Sequence, residues 1–236
     1  MKYKGVKCKY SFSSTFIIFL IQFCLFSYGS QAKQFKITAP EISTALPLFE
    51  NKIIDSYQKI GISAEIIRLP TKRSLETARN SDWVDAELVR AEELADHLEG
   101  YIRIPIPILS LSINTYGSKV NQCFPTWQSL TSSKVAVLRG FMSIKARLIK
   151  HKISYFEVES NEQAVAMLKA NRVDAIVTPE RLMSIELKKS MKSSGLHCME
   201  EIEAMPLYHY VRNKHHTIVP QLTNAIKTTF TDKYEE

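Results

Sequence analysis

Glycine and tryptophan are scarce in this chain: its 236 residues hold seven of the one and two of the other. The glycines never cluster, so no glycine-rich loop can wrap a phosphate. No G-x-S-x-G turn presents a serine nucleophile, and no H-E-x-x-H helix presents a metal. Neither a C-x-x-C pair nor a Cys/His spacing suggests a metal site, and the adjacent His215 and His216 read as a solvated turn. No catalytic residue, metal or cofactor is assigned, and a binding protein is expected rather than an enzyme.

Long apolar runs are also missing. The longest, Phe16 to Phe26, is interrupted by Gln22 and falls short of the ~20 residues a membrane-spanning helix needs. Lys2, Lys4, Lys7 and Lys9 precede it, and Ser30-Gln31-Ala32 follows with small residues where a signal peptidase requires them. Residues 1–32 are therefore expected to be a cleaved signal peptide, and the mature protein is expected in the periplasm. Gln22-Phe23 ahead of Cys24 does not make a lipobox.

Export changes the charge balance. The chain carries 31 basic and 24 acidic residues, and removing the four signal lysines leaves 27 against 24. So small an excess gives no support for a nucleic-acid partner. Of four cysteines, Cys123 and Cys198 remain. In an oxidising compartment they either pair, closing a loop of about 75 residues worth roughly 4 kcal/mol, or stay as buried thiols.

What is present is a repeated phrase. Val84-Asp85-Ala86 and Val173-Asp174-Ala175 lie 89 residues apart, and each runs into a short apolar stretch. Each follows a helix-like segment, Ser74 to Asn80 and Ser160 to Asn171. A helix feeding a buried strand is half of a βαβ unit, and two such units predict two α/β lobes with a cleft between them.

The rest of the pattern fits. Leu46, Phe49, Ile53 and Tyr57 have helical spacing, ended by Gly61. Thr71 is the expected N-cap of a second helix, and Ala91 to Glu99 a short amphipathic one closed by Gly100. Pro179 is expected to open a further helix, and Ser160 through Gln163 to form a capping box. Between 101 and 116 the apolar phase flips: Ile102, Ile104, Ile106 and Ile108 give way to Leu109, Leu111 and Ile113. A flip moves the apolar side to the other face, as in a strand leaving one lobe for another. A second crossing near 200 completes a two-stranded hinge. The expected division is 1–32 signal, 33–112 with 201–236 lobe one, and 113–200 lobe two.

Together, Leu69-Pro70-Thr71-Lys72-Arg73-Ser74-Leu75, Asp85 through Arg90, Val135 through Gly140 and Met167 through Asp174 resemble the extracellular solute-binding proteins of family 3. The resemblance extends through Trp127-Gln128-Ser129-Leu130, Leu207 through Tyr210 and Lys214-His215-His216. It implies the two-lobed type II periplasmic binding fold, α/β, each lobe a mixed sheet flanked by helices. It also implies a monomer that captures a small amino acid or organic acid and hands it to an ABC permease. Alternatives on the same fold are a ligand-sensing subunit attached to a membrane sensor, and a dehydratase using an acid such as Glu180 or Glu41.

Candidate ligand contacts follow from position. Arg73 stands in the first turn of a helix, where only an anion would make a cation favourable. Arg90 ends a strand, where ligands gather in open α/β sheets, or else pairs with Glu93. Arg139, Gly140 and Phe141 end the equivalent strand of lobe two, ahead of free helix-start amides. Thr178 and Glu180 follow the second Asp, where family members hold a ligand ammonium. Trp83 and Tyr116 are further aromatic candidates for the cleft wall. The two repeated aspartates precede their strands, away from any cleft, and are read as structural. A ligand with at least one negative group, clamped by Arg73 and Arg90 from one side and Arg139 from the other, is the expected occupant.

Overall fold

The structure, a computed structural model, describes residues 34–41, 46–117, 123–195 and 198–231. The expected signal peptide lies outside them. Residues 34–236 form one unit. The strands are β1 (Phe35–Pro40), β2 (Ala64–Leu69), β3 (Ala86–Ala91), β4 (Tyr101–Gly117), β5 (Lys134–Leu138), β6 (Ser154–Val158), β7 (Ala175–Pro179) and β8 (Cys198–Arg212). The helices are α1 (Leu46–Lys59), α2 (Thr71–Asn80), α3 (Met142–Lys150), α4 (Asn161–Lys169), α5 (Ile185–Ser193) and α6 (Val219–Thr231). The sheet order is β2-β1-β3-β8-β4-β7-β5-β6.

That order contains the repeat. In the first half β1 pairs in parallel with β2 and β3, and in the second half β5 pairs in parallel with β6 and β7. Between them run β4 and β8, 17 and 15 residues long, antiparallel over most of their length. This pair carries the chain across in both directions. Its ladder shifts register between Arg103 and Pro107 and again between Pro107 and Leu109, at the point where the apolar phase flips. Pro105 and Pro107 have no N–H to donate, so the ladder breaks there, and the irregularity lets both phases be buried.

Helices cover both faces. Leu75 and Ala78 of α2 pack with Val84 and Leu98 in the first half, and Val165 and Leu168 of α4 pack with Ile176 in the second. The largest cluster runs through both halves, from Ile37 and Leu88 to Val137 and Val177. Gly61 and Gly100 have φ of 77° and 82°, the left-handed conformation that ends their segments.

Four local expectations change. Thr71 is the first helical residue rather than the cap: Pro70 precedes it, with no side-chain cap. The 91–99 segment continues β3 to Ala91 and then forms a 3-10 turn, Glu92–His97. Pro179 closes β7, and a 3-10 turn, Glu180–Leu182, follows it. Ser160 does cap α4, accepting from Gln163 N–H at 3.2 Å, but the Gln163 amide reaches back to Glu159 N–H at 2.8 Å, one residue earlier than a capping box does.

Both repeated aspartates hold the start of a neighbouring strand. Asp85 Oδ2 accepts the Lys36 N–H at 3.1 Å, and Asp174 Oδ2 accepts the Lys134 N–H at 2.8 Å. In each case the aspartate's own N–H donates to the same residue's carbonyl. Asp85 is also bound by Lys214 and by His215, at 2.8 and 2.7 Å. Burial pushes its carboxyl up, but these partners outweigh that and hold it below its ordinary value.

Candidate functional site

The site begins with a kink in β3. Glu87 pairs with Tyr210 and Arg90 with Tyr208, so three residues on β3 span two on β8. In a regular strand residues three apart face opposite ways. The extra residue turns both Glu87 and Arg90 to the same side. Arg90 Nε donates to Glu87 Oε1 at 2.7 Å, Nη2 lies 2.6 Å from the same oxygen, and Nη2 also donates to the Thr71 carbonyl at 3.1 Å. Glu87 is fully buried and accepts further hydrogen bonds from Thr38 and Ser74. Arg90 is thus fixed by Glu87, not by Glu93, and its charge is balanced from within. Its Nη1 has no hydrogen bond among the described residues.

Arg90 lines a cavity of about 40 Å³ between the halves. Thr71, Val89 and Leu94 wall the first half, Phe141, Ser143 and Ile144 the second, and Leu111, Ile113, Met205 and Leu207 the crossover floor. Gly140 turns the chain into α3 at φ 90°, and a Cβ there would lie 3.6 Å from the Thr71 Cβ. The halves therefore approach here closely enough that a single added methyl group would bridge them. The cavity has room for water but is far below the roughly 300–1,000 Å³ of ligand pockets. Among the described lining residues most are apolar, and Arg90 is the only charged one.

A clasp of ion pairs joins the halves beside this cavity. Arg147 of α3 donates Nη2 to Glu93 Oε1 at 2.6 Å, bringing the second half onto the turn after β3. Its Nε donates to Glu203 Oε2 of β8 at 2.5 Å, and Nη2 reaches the other Glu203 oxygen. Trp127 Nε1 completes the group, donating to Glu203 Oε2 at 2.9 Å. Burial works against the Arg147 charge, but the two carboxylates outweigh it and raise its pKa. Burial also pushes the Glu93 carboxyl up, and Arg147 more than reverses this, leaving it lowered. No sequence signal pointed to this group, because its members are 54 and 56 residues apart.

Of the residues expected at the site, the cavity brings together Arg90, Gly140 and Phe141. Arg73 is exposed, with no hydrogen bond or ion pair among the described residues. Arg139 is exposed and pairs with Glu159 and, at 3.9 Å, with Glu157. Glu180 pairs with Lys188 at 2.8 Å. Thr178 is buried on the α4-covered face, and its Oγ1, like the Tyr116 hydroxyl, has no partner among the described residues. Trp83 is partly exposed beneath the Lys36 ammonium. Cys123 and Cys198 form a disulfide with Cα atoms 5.3 Å apart, enclosing most of the second half in one covalent ring.

No protein-family model matches the chain, and neither does any curated protein sequence. Solved structures do. The ligand-binding core of GluR0 in complex with L-glutamate aligns with a TM-score of 0.63 at 14% identity, covering 87% of this chain and 95% of that one. An ancestral arginine-binding protein bound to glutamine aligns at 0.60 and 17%, covering 86% and 96%. An ancestral amino-acid-binding protein, a precursor of cyclohexadienyl dehydratase, aligns at 0.59 and 15%, covering 86% and 94%. These neighbours are amino-acid-binding proteins of the family 3 solute-binding type, and their likeness extends over most of the chain. The chain has their fold, that of the two-lobed type II periplasmic binding proteins.

Proposed function

We propose that this protein captures a small anionic or zwitterionic solute, an amino acid or organic acid, in the cleft between its halves. The observation that carries this is Arg90. Glu87 and Thr71 hold its guanidinium rigid, while Nη1 stays without a partner beside the cavity. A fork held in place loses little entropy when it binds a carboxylate. Phe141, Leu94 and Met205 would surround the rest of the solute. No carboxyl or imidazole lies among the cavity-lining residues, so the described site supports binding rather than acid–base catalysis.

Loading requires opening. A cavity of 40 Å³ cannot admit an amino acid while Thr71 and Gly140 stand this close and Arg147 bridges to Glu93. The described conformation is a closed state, and a solute that favours a wider, loaded cleft would shift the population. A thermal-shift screen against amino acids and organic acids tests this: a ligand at 100 times its Kd adds about 2.7 kcal/mol. Arg147→Gln is expected to raise the association rate for any hit. Failure of every carboxylate to stabilise both the parent and this variant counts against the proposal.

The protein acts after export, with residues 1–32 removed, and delivers its solute to an ABC permease. Intact mass from the periplasm tests the first part, and a mass retaining 1–32 refutes it. Sensing is the second reading, favoured by the likeness to the GluR0 ligand-binding core. Uptake of labelled solute lost on deletion of the protein supports transport; unchanged uptake supports sensing.

A further inference from the structure

The crossover strands have two faces, and the cavity occupies one. Leu111 pairs with Met205 and both line the cavity. Their neighbours Ser110 and Pro206, also paired, point the other way. There they floor a second concavity of about 700 Å³, well inside the range that ligand pockets occupy.

Its origin lies in the sequence. Around Pro107 the β4–β8 ladder loses register, so Pro107 is exposed and Ile106 and Leu109 are only half-buried, each offering an apolar edge to the concavity. Phe49 of α1 and Phe230 of α6 stack at 6.2 Å between ring centroids and form an aromatic wall. Lys52, Lys227 and Arg181 complete the lining, and among the described residues no carboxylate joins them. The Lys52 ammonium lies 5.0 Å from the Phe230 ring centroid. Neither Lys52 nor Arg181 has an ion pair among the described residues. Two like charges, Lys52 and Arg181, over an apolar floor raise the local concentration of anions. Aromatic and proline surfaces beneath them suit an apolar body.

We infer that this groove is a second ligand site, on the outer face of the hinge, for a free anionic amphiphile: a carboxylate on an aromatic or medium-length acyl body. Lys52 and Arg181 receive the carboxylate, and Phe49, Phe230 and Pro206 hold the body. Lys52 belongs to the first half and Arg181 to the second, so one bound molecule spans the hinge. The site does not depend on which solute the front cleft takes.

The test is a fluorescence titration of purified protein with 8-anilinonaphthalene-1-sulfonate, an anionic aromatic amphiphile, with decanoate as competitor. Lys52→Glu/Arg181→Glu is compared with Lys189→Glu/Arg172→Glu, which makes the same change in net charge on exposed residues away from the groove. Expected are saturable binding displaced by decanoate, at least a tenfold weaker Kd in the groove variant, and less than a twofold change in the other. Ser110→Trp, which fills the floor while keeping the charge, is expected to abolish binding. Equal weakening in both charge variants would show general attraction, and an unchanged Kd in the groove variant would place the probe elsewhere; either result overturns the site.

Discussion

In the first half, Thr38 and Glu87 are register partners on β1 and β3; in the second, the same positions on β5 and β7 hold Ala136 and Ile176. All four are buried. One layer of a repeated architecture is thus a hydrogen-bonded ion network in one half and plain hydrocarbon in the other. The shared role of Asp85 and Asp174 makes the difference informative. Identical backbone support tolerates either filling, so the charged layer is not needed to build the half. It orients Arg90, the one cation in the cavity wall.

The comparison can be broken at several strengths. The largest effect is expected from reducing the Cys123–Cys198 disulfide, which only the second half has. Opening a ring of this size should cost roughly 4 kcal/mol in the chain-entropy model, read as a fall in the urea midpoint with dithiothreitol. Glu87→Ala comes next, at about 3 kcal/mol, because it leaves the Arg90 charge buried and unpaired. The sharper variant is Thr38→Ala/Glu87→Ile/Arg90→Leu, which gives the first half the hydrocarbon layer of the second. It is expected to recover most of that stability while losing solute binding. A triple variant as unstable as Glu87→Ala would mean the halves are less equivalent than their registers imply.

A pH titration separates the halves a third way. His209, fully buried in the first half, lies 2.9 Å from the Tyr57 hydroxyl and 3.0 Å from the Leu88 carbonyl. Burial lowers its pKa to about 4 from 6.5. The unfolded chain then binds the proton first, so the stability His209 confers is complete above pH 6.5 and is lost as pH falls towards 4, by about 3 kcal/mol. His209→Gln should remove that slope from denaturation midpoints between these pH values. The smallest effects distinguish the two aspartates. Asp85→Asn, which loses Lys214 and His215, is expected to cost about 2 kcal/mol and Asp174→Asn about 1 kcal/mol. Equal costs would mean the extra partners of Asp85 contribute nothing.

Sequence carried the scaffold because the scaffold is local. The repeated Val-Asp-Ala phrase, Gly61 and Gly100 where a helix and a turn end, and the change of apolar phase near Ile108 are each visible within a few residues. The lengths of β4 and β8 were not, since nothing between Cys198 and Pro206 alternates clearly. The site was legible only in part for two physical reasons. Arg90 and Glu87 share a face because a bulge lies between them, and a bulge leaves no mark on residue spacing. Arg147 meets Glu93 and Glu203 through tertiary packing, which no periodicity encodes. Arg73 and Arg139 had the right positions at helix and strand ends, but side-chain direction decided their surroundings.

The position of Trp127 has a practical consequence. Its indole N–H is bound to Glu203, its ring stacks on His151 at 6.2 Å, and it is 92% shielded from solvent. Glu203 is the carboxylate that Arg147 grips, so releasing the clasp frees the acceptor of the indole proton. The only other tryptophan in the chain, Trp83, is 41% exposed and stands on the opposite half. With Trp83→Phe the protein carries a single tryptophan, at its fastening point, which can be excited apart from the tyrosines. Its emission then reports opening and closing in real time, with no label attached.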